Sequence, residues 1–120
     1  MPLLSKSIQA PLSKDDGIRI CIMRKPDFEA DWDIWMPSLA PSLALLRSYK
    51  KGETSWSKYI LQFNKEVIIA KRDHLKLLVD MARYNTITLL CWELCPKECH
   101  RRLVLEEILR IDPSLSVVIR

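Results

Sequence analysis

Between Cys91 and Arg102 the chain runs Cys-Trp-Glu-Leu-Cys-Pro-Lys-Glu-Cys-His-Arg-Arg, gathering thiols, carboxylates, an imidazole and guanidiniums into one short stretch. Two kinds of chemistry suit those groups. A thiol at a helix N-terminus has its pKa lowered toward the reactive thiolate. Cys99, or Cys95 before it, is therefore a candidate nucleophile, with His100 as a candidate proton carrier. The second chemistry is anion binding. A helix opening near Pro96 would offer unsatisfied N–H groups and a positive dipole end. Lys97 and Arg101 add charge there, and Arg24, leaving a different strand, adds more.

Helix geometry limits both readings. Successive helical residues diverge by about 100°, so sequence adjacency alone does not make Cys99 and His100 a dyad. The same divergence counts against a metal. Cys91-x3-Cys95-x3-Cys99-His100 supplies four ligand types but lacks the tight C-x-x-C knuckle of structural zinc sites. No metal and no cofactor is expected. Arg101 lies on the helix face set by Val104, Leu105 and Ile108, which must pack on a sheet. A buried guanidinium needs a partner, and Glu93 is the expected one. That pair is either a structural tie at the corner or the holder of an anion-binding arginine.

The elements that must position these groups follow from periodicity. Thr86 to Trp92 is apolar at nearly every position, as a central parallel strand covered on both faces requires. Ile18, Ile20 and Ile22 alternate with Arg19, Cys21 and Met23, the period of two of a strand. Pro2 to Ile8 and Leu115 to Ile119 are further short strands, and Ser13 to Gly17 is a turn. Residues 28–41 are expected to be irregular, with Trp32 and Trp35, like Trp56, serving as core or cover for the sheet. Three helices come next: one opened by Pro41 and running to about Tyr49, one capped by Thr54 or Ser55, and one capped by Asp73. The second carries the stripe Trp56, Tyr59, Ile60, Phe63 and Val67, the third Leu75, Leu78, Val79 and Ala82. The Phe63–Met81 stretch fits one bent helix as well as two. A last helix runs from about Lys97 to Arg110. The fold class is α/β: a three-layer sandwich with a small, mainly parallel sheet flanked by helices, joined by right-handed crossovers.

The totals set bounds. A chain of 120 residues, 48% hydrophobic and 28% charged, is one domain spanning 1–120. It has no membrane-length apolar run and no signal-peptide pattern at its start. Three of its four cysteines cluster, which in such a chain favours reduced thiols over a disulfide framework. A cytoplasmic location is expected. The net charge of +4 permits an acidic partner without demanding one. Its basic residues form no polybasic run, and the aromatics do not interleave with them as nucleic-acid stacking requires. Glycine occurs only at positions 17 and 52, which excludes a glycine-lined pyrophosphate cradle. His74 is expected to face solvent.

A buried strand followed by Glu93 and then Cys99-His100-Arg101 at a helix start resembles the microbial family called domain of unknown function 488. Asp16-Gly17-Ile18-Arg19-Ile20 resembles its early strand, and Arg24 stands where that family usually has arginine. Trp35 with Leu39-Ala40-Pro41-Ser42 resembles its "W…LAPS" segment, and Leu46-Arg47, Trp56, Tyr59 and Phe63 its aromatic-rich helix pair. Met23 departs from the aspartate common there, and the loop after it is shorter. The resemblance implies the fold and the extent of the domain, and no particular reaction.

The function expected from the residues is binding of a small anionic ligand, nucleotides included. It would sit in the crevice where strand 86–92 meets helix 97–110. Arg24, Glu93, Lys97 and Arg101 are the ligand-binding candidates, and Cys99 and His100 the catalytic ones. The alternative is a non-catalytic module for nucleic acid or protein.

Overall fold

The computed structural model describes residues 2–25, 31–91 and 99–119. Strands β1 (Pro2–Ser7), β2 (Ile18–Cys21), β3 (Ile34–Trp35), β4 (Ile87–Cys91) and β5 (Ser116–Ile119) form one sheet in the order β3-β2-β4-β1-β5. Every pairing is parallel. Helices α1 (Leu43–Lys50), α2 (Trp56–Phe63), α3 (Arg72–Tyr84) and α4 (His100–Ile111) complete the α/β fold. The apolar run read as a central strand is β4, flanked by β2 and β1 and buried along its whole length.

Register assigns the two faces. Leu3 pairs with Ile87, which pairs with Ile18, and Leu89 pairs with Ile20. These side chains share one face with Ile22. They pack into a core with Tyr59, Phe63, Leu75, Leu78, Val104, Leu105 and Ile108 of the helices. The opposite face carries Lys6, Arg19, Cys21, Thr88 and Leu90, one position out of phase. It is covered by the segment after β1, with its 3-10 turn Lys14–Asp16, and by Trp32 packing toward Ile8, Cys21 and Leu90. The sheet thus lies between the helices on one face and this largely irregular cover on the other. The β1-to-β2 connection crosses on this second face. The return from β3 to β4 runs in the opposite direction over the helical face. Reversing both direction and face preserves one hand, as the crossover rule demands.

A buried ionic knot ties down the second face. The Asp16 carboxylate accepts from Lys6 Nζ at 3.0 Å and from the Arg19 guanidinium, and its backbone carbonyl accepts from Thr88 Oγ1 at 2.7 Å. Asp16 is 1% exposed. Burial pushes its carboxyl upward. The Ser13 N–H, Lys6 and Arg19 outweigh that push and hold it below the ordinary carboxylate value. Gly17, at φ 63°, lets the chain turn into β2, where a Cβ would lie 2.1 Å from Thr86 O.

Several local expectations shift. Ser42, not Pro41, opens α1: its hydroxyl accepts from Leu45 N at 3.1 Å, and Glu66 accepts from its N–H and Oγ. Ser55 caps α2. Asp73 does not cap α3, which begins at Arg72 behind a π-helical segment, Asn64–Ile69. The chain reaches that start already wound, with Lys71 N donating to Val67 O at 2.8 Å, so no side-chain cap is needed. The region after β2 holds a two-residue edge strand, too short to show a period in sequence. Its Trp35 is 41% exposed rather than core, with Nε1 donating to Met23 O at 2.9 Å. Helix α4 starts at His100, three residues later than expected, because Cys99 is extended at φ −128°, ψ 141° and serves as N-cap. Among the described residues no helix is long and apolar enough to cross a membrane.

Candidate functional site

The carboxyl ends of β2 and β4 and the start of α4 meet at one corner. In a parallel sheet this is the edge at which ligands collect. Cys91 is the last residue of β4 and falls on the helical face. Cys99 caps the helix that returns across that face. The two sulfurs therefore meet and are joined as a disulfide, with Cα atoms 7.8 Å apart. This corrects the expectation of reduced thiols for that pair, and chain direction explains it: strand end and helix start face each other across one junction. Cys21 lies buried on the opposite face, outside the pair.

His100 is the first residue of α4 and 7% exposed. Its Nε2 lies 2.8 Å from Ile22 O. A carbonyl can only accept, so Nε2 carries the hydrogen. That bond turns Nδ1 toward Cys99 Sγ at 4.0 Å. The divergence expected of neighbouring helical side chains does not apply, because Cys99 stands outside the helix in an extended conformation. Sequence adjacency here does produce spatial convergence. Cys91, Cys99 and His100, all buried, present ligand atoms within 4.8 Å of one another.

Arg101 is fully buried, as its helix face predicted. Its Nη1 donates to Cys91 Sγ at 3.1 Å and to Cys99 Sγ at 3.6 Å. Glu93, its expected partner, lies outside the described residues, as do Lys97, Cys95 and Pro96. Arg24 donates from Nε to Pro41 O and from Nη2 to Ala40 O, both at 3.0 Å. It fastens the chain after β2 to the approach of α1.

Between those segments opens a cleft of about 420 Å³, lined by Met23, Arg24, Lys25, Leu46, Arg47, Lys50 and His100 among others. Two of the sequence candidates, Arg24 and His100, share this cleft. Lys25, Arg47 and Lys50 were missed as ligand-facing groups. Their signal was present: Arg47 and Lys50 are three apart near the end of α1, hence on one helix face. Among the described residues the lining carries four cations and no carboxylate. His74 is exposed, as expected, with Nδ1 2.5 Å from Ser38 Oγ.

The molecule is thus a parallel α/β protein with a Cys-His-Arg corner at the carboxyl end of its central strand. The chain belongs to the DUF488 family: residues 3–111 match the family model DUF488-N3a, described as the active DUF488-N3 subclade. Comparison with curated proteins and with solved structures gives no match in either case.

Proposed function

We propose that the chain binds a small anionic ligand, with a phosphate-bearing molecule of nucleotide size as the leading class, in the cleft beside His100. The observation that carries this reading is the charge of the walls. Arg24, Lys25, Arg47 and Lys50 converge on one concavity, and no acid among its described residues offsets them. Leu43, Leu46 and Pro41 add apolar surface for an uncharged portion of the ligand. A concave site of this size suits a small molecule better than a nucleic-acid backbone, which wants charge spread along a face. The description of the matching subclade as active supports a ligand that reacts as well as binds. Once the Cys91–Cys99 disulfide is reduced, the Cys99–His100 pair is the reactive chemistry beside the cleft.

The test is calorimetric titration with pyrophosphate and with adenosine monophosphate at low salt, on wild type and on Arg47→Glu/Lys50→Glu. Binding by wild type that the double variant loses supports the reading. Absence of heat from both probes, or equal binding by both proteins, overturns it.

A further inference from the structure

The corner behind the cleft holds a second arrangement that anion binding does not use. Two cysteine sulfurs and an imidazole nitrogen lie within 4.8 Å of one another, and all three residues are buried. We propose that Cys91 Sγ, Cys99 Sγ and His100 Nδ1, in the reduced protein, form a binding site for a thiophilic divalent cation of the zinc type.

Three independent features support the assignment. The first is the backbone. Relaxed disulfides rarely span Cα separations beyond about 7 Å, and Cys91 and Cys99 are 7.8 Å apart. A tetrahedral ion with Zn–S bonds of about 2.3 Å keeps its two sulfurs roughly 3.8 Å apart, which suits a wider backbone. The second is the histidine. Metal-bound imidazoles almost always donate their other ring N–H to a carbonyl or carboxylate, which fixes tautomer and orientation. His100 does so through Nε2 to Ile22 O at 2.8 Å and thereby presents Nδ1 to the sulfurs. The third is Arg101. Its N–H groups donate to both sulfurs and favour their thiolate form, as outer hydrogen-bond donors to metal thiolates do. Cysteine and imidazole together select zinc over hard cations such as magnesium or calcium.

The charge balance is simple. Two thiols each lose a proton to solvent as the dication binds, so the ion and its two thiolates are together neutral. Arg101 remains a cation beside them. In the disulfide form described above, a thiol or phosphine must first reduce the bond, with two electrons and two protons. Two cysteines and one histidine leave one tetrahedral position, the arrangement of catalytic rather than purely structural zinc. The proposal does not rest on the anion reading, since metal retention is measured with no anion in the buffer.

The experiment uses the whole chain, reduced with a phosphine and stripped with chelator. Zn²⁺ is added, unbound metal is removed by gel filtration, and the retained metal is measured by mass spectrometry. Co²⁺ replaces Zn²⁺ for absorbance. The expected result is one ion per chain, a thiolate-to-cobalt charge-transfer band, and loss of both in Cys91→Ser and in His100→Gln but not in Cys21→Ser. A Zn²⁺-dependent rise in wild-type melting temperature gives a readout that does not rely on the variants folding. No retained ion and no melting shift in the reduced wild type would falsify the site. Retention unchanged in Cys91→Ser overturns it equally.

Discussion

Among the described residues charge is buried in two places, one on each face of the sheet, and the two are built on different principles. On the face away from the helices, Asp16 sits between Lys6 and Arg19; Pro11 O accepts from Lys6, Asp31 O accepts from Arg19, and the Ser13 N–H donates to the Asp16 carboxylate. On the helical face, Arg101 is equally buried, and its Nη1 donates to the sulfurs of Cys91 and Cys99. The first cluster matches hard donors to a hard acceptor and leaves nothing to do. The second places a cation against two soft sulfur atoms at the ligand edge of the sheet.

The contrast can be broken by substitution, and the knot should show the largest effect. Asp16→Asn leaves Lys6 and Arg19 buried without their counter-charge, and a loss of about 3–5 kcal/mol in urea unfolding is expected. Arg101→Met keeps the volume and removes the donors. A smaller loss, about 2 kcal/mol, is expected because sulfur tolerates an apolar neighbour. Equal losses at the two positions would mean that the corner is as structural as the knot.

A third distinction is in acid. The Asp16 carboxyl is held below its unfolded value, so its stabilisation is present above about pH 4 and is lost as the pH falls through the folded value. Wild-type melting temperature should drop across that window, and the drop should flatten in Asp16→Asn. A drop unchanged by that substitution would transfer the acid sensitivity to other carboxylates. The smallest stability effect is expected at the cleft. Arg47→Glu/Lys50→Glu should shift unfolding by no more than about 0.5 kcal/mol. The same variant should weaken pyrophosphate binding at least tenfold, about 1.4 kcal/mol. A large stability change there would place those side chains in the fold rather than the site.

Sequence patterns were most informative where burial is two-sided or strictly periodic. The run from Thr86 to Trp92 identified the central strand because a strand paired on both edges and covered on both faces has no polar positions to spare. The Ile18, Ile20 and Ile22 alternation placed β2 and its facing. Arg101 stood out because a charge sits on an otherwise apolar helix face. The start of α4 was not legible. Whether Cys99 is the last extended residue or an early helical one depends on how the preceding loop delivers the chain, and no propensity of cysteine or proline decides that. The error had a cost, since it separated Cys99 from His100. The Asp16 knot went unread for a related reason: Lys6 and Arg19 belong to different strands, and only the sheet order brings them to one carboxylate.

That sheet order also dictates a timetable for the nascent chain. Strand β1 is made early, yet its neighbours are β4 and β5, with Leu3 beside Ile87 on one side and beside Val117 on the other. A ribosome emitting this chain releases a strand whose backbone partners are not synthesised until the final third of the domain. The interior of the sheet therefore assembles last, through contacts of long sequence separation that are slow to form. Until then the strand's open edges are exposed to pairing with other chains, and a chain stopped before β5 keeps one of them.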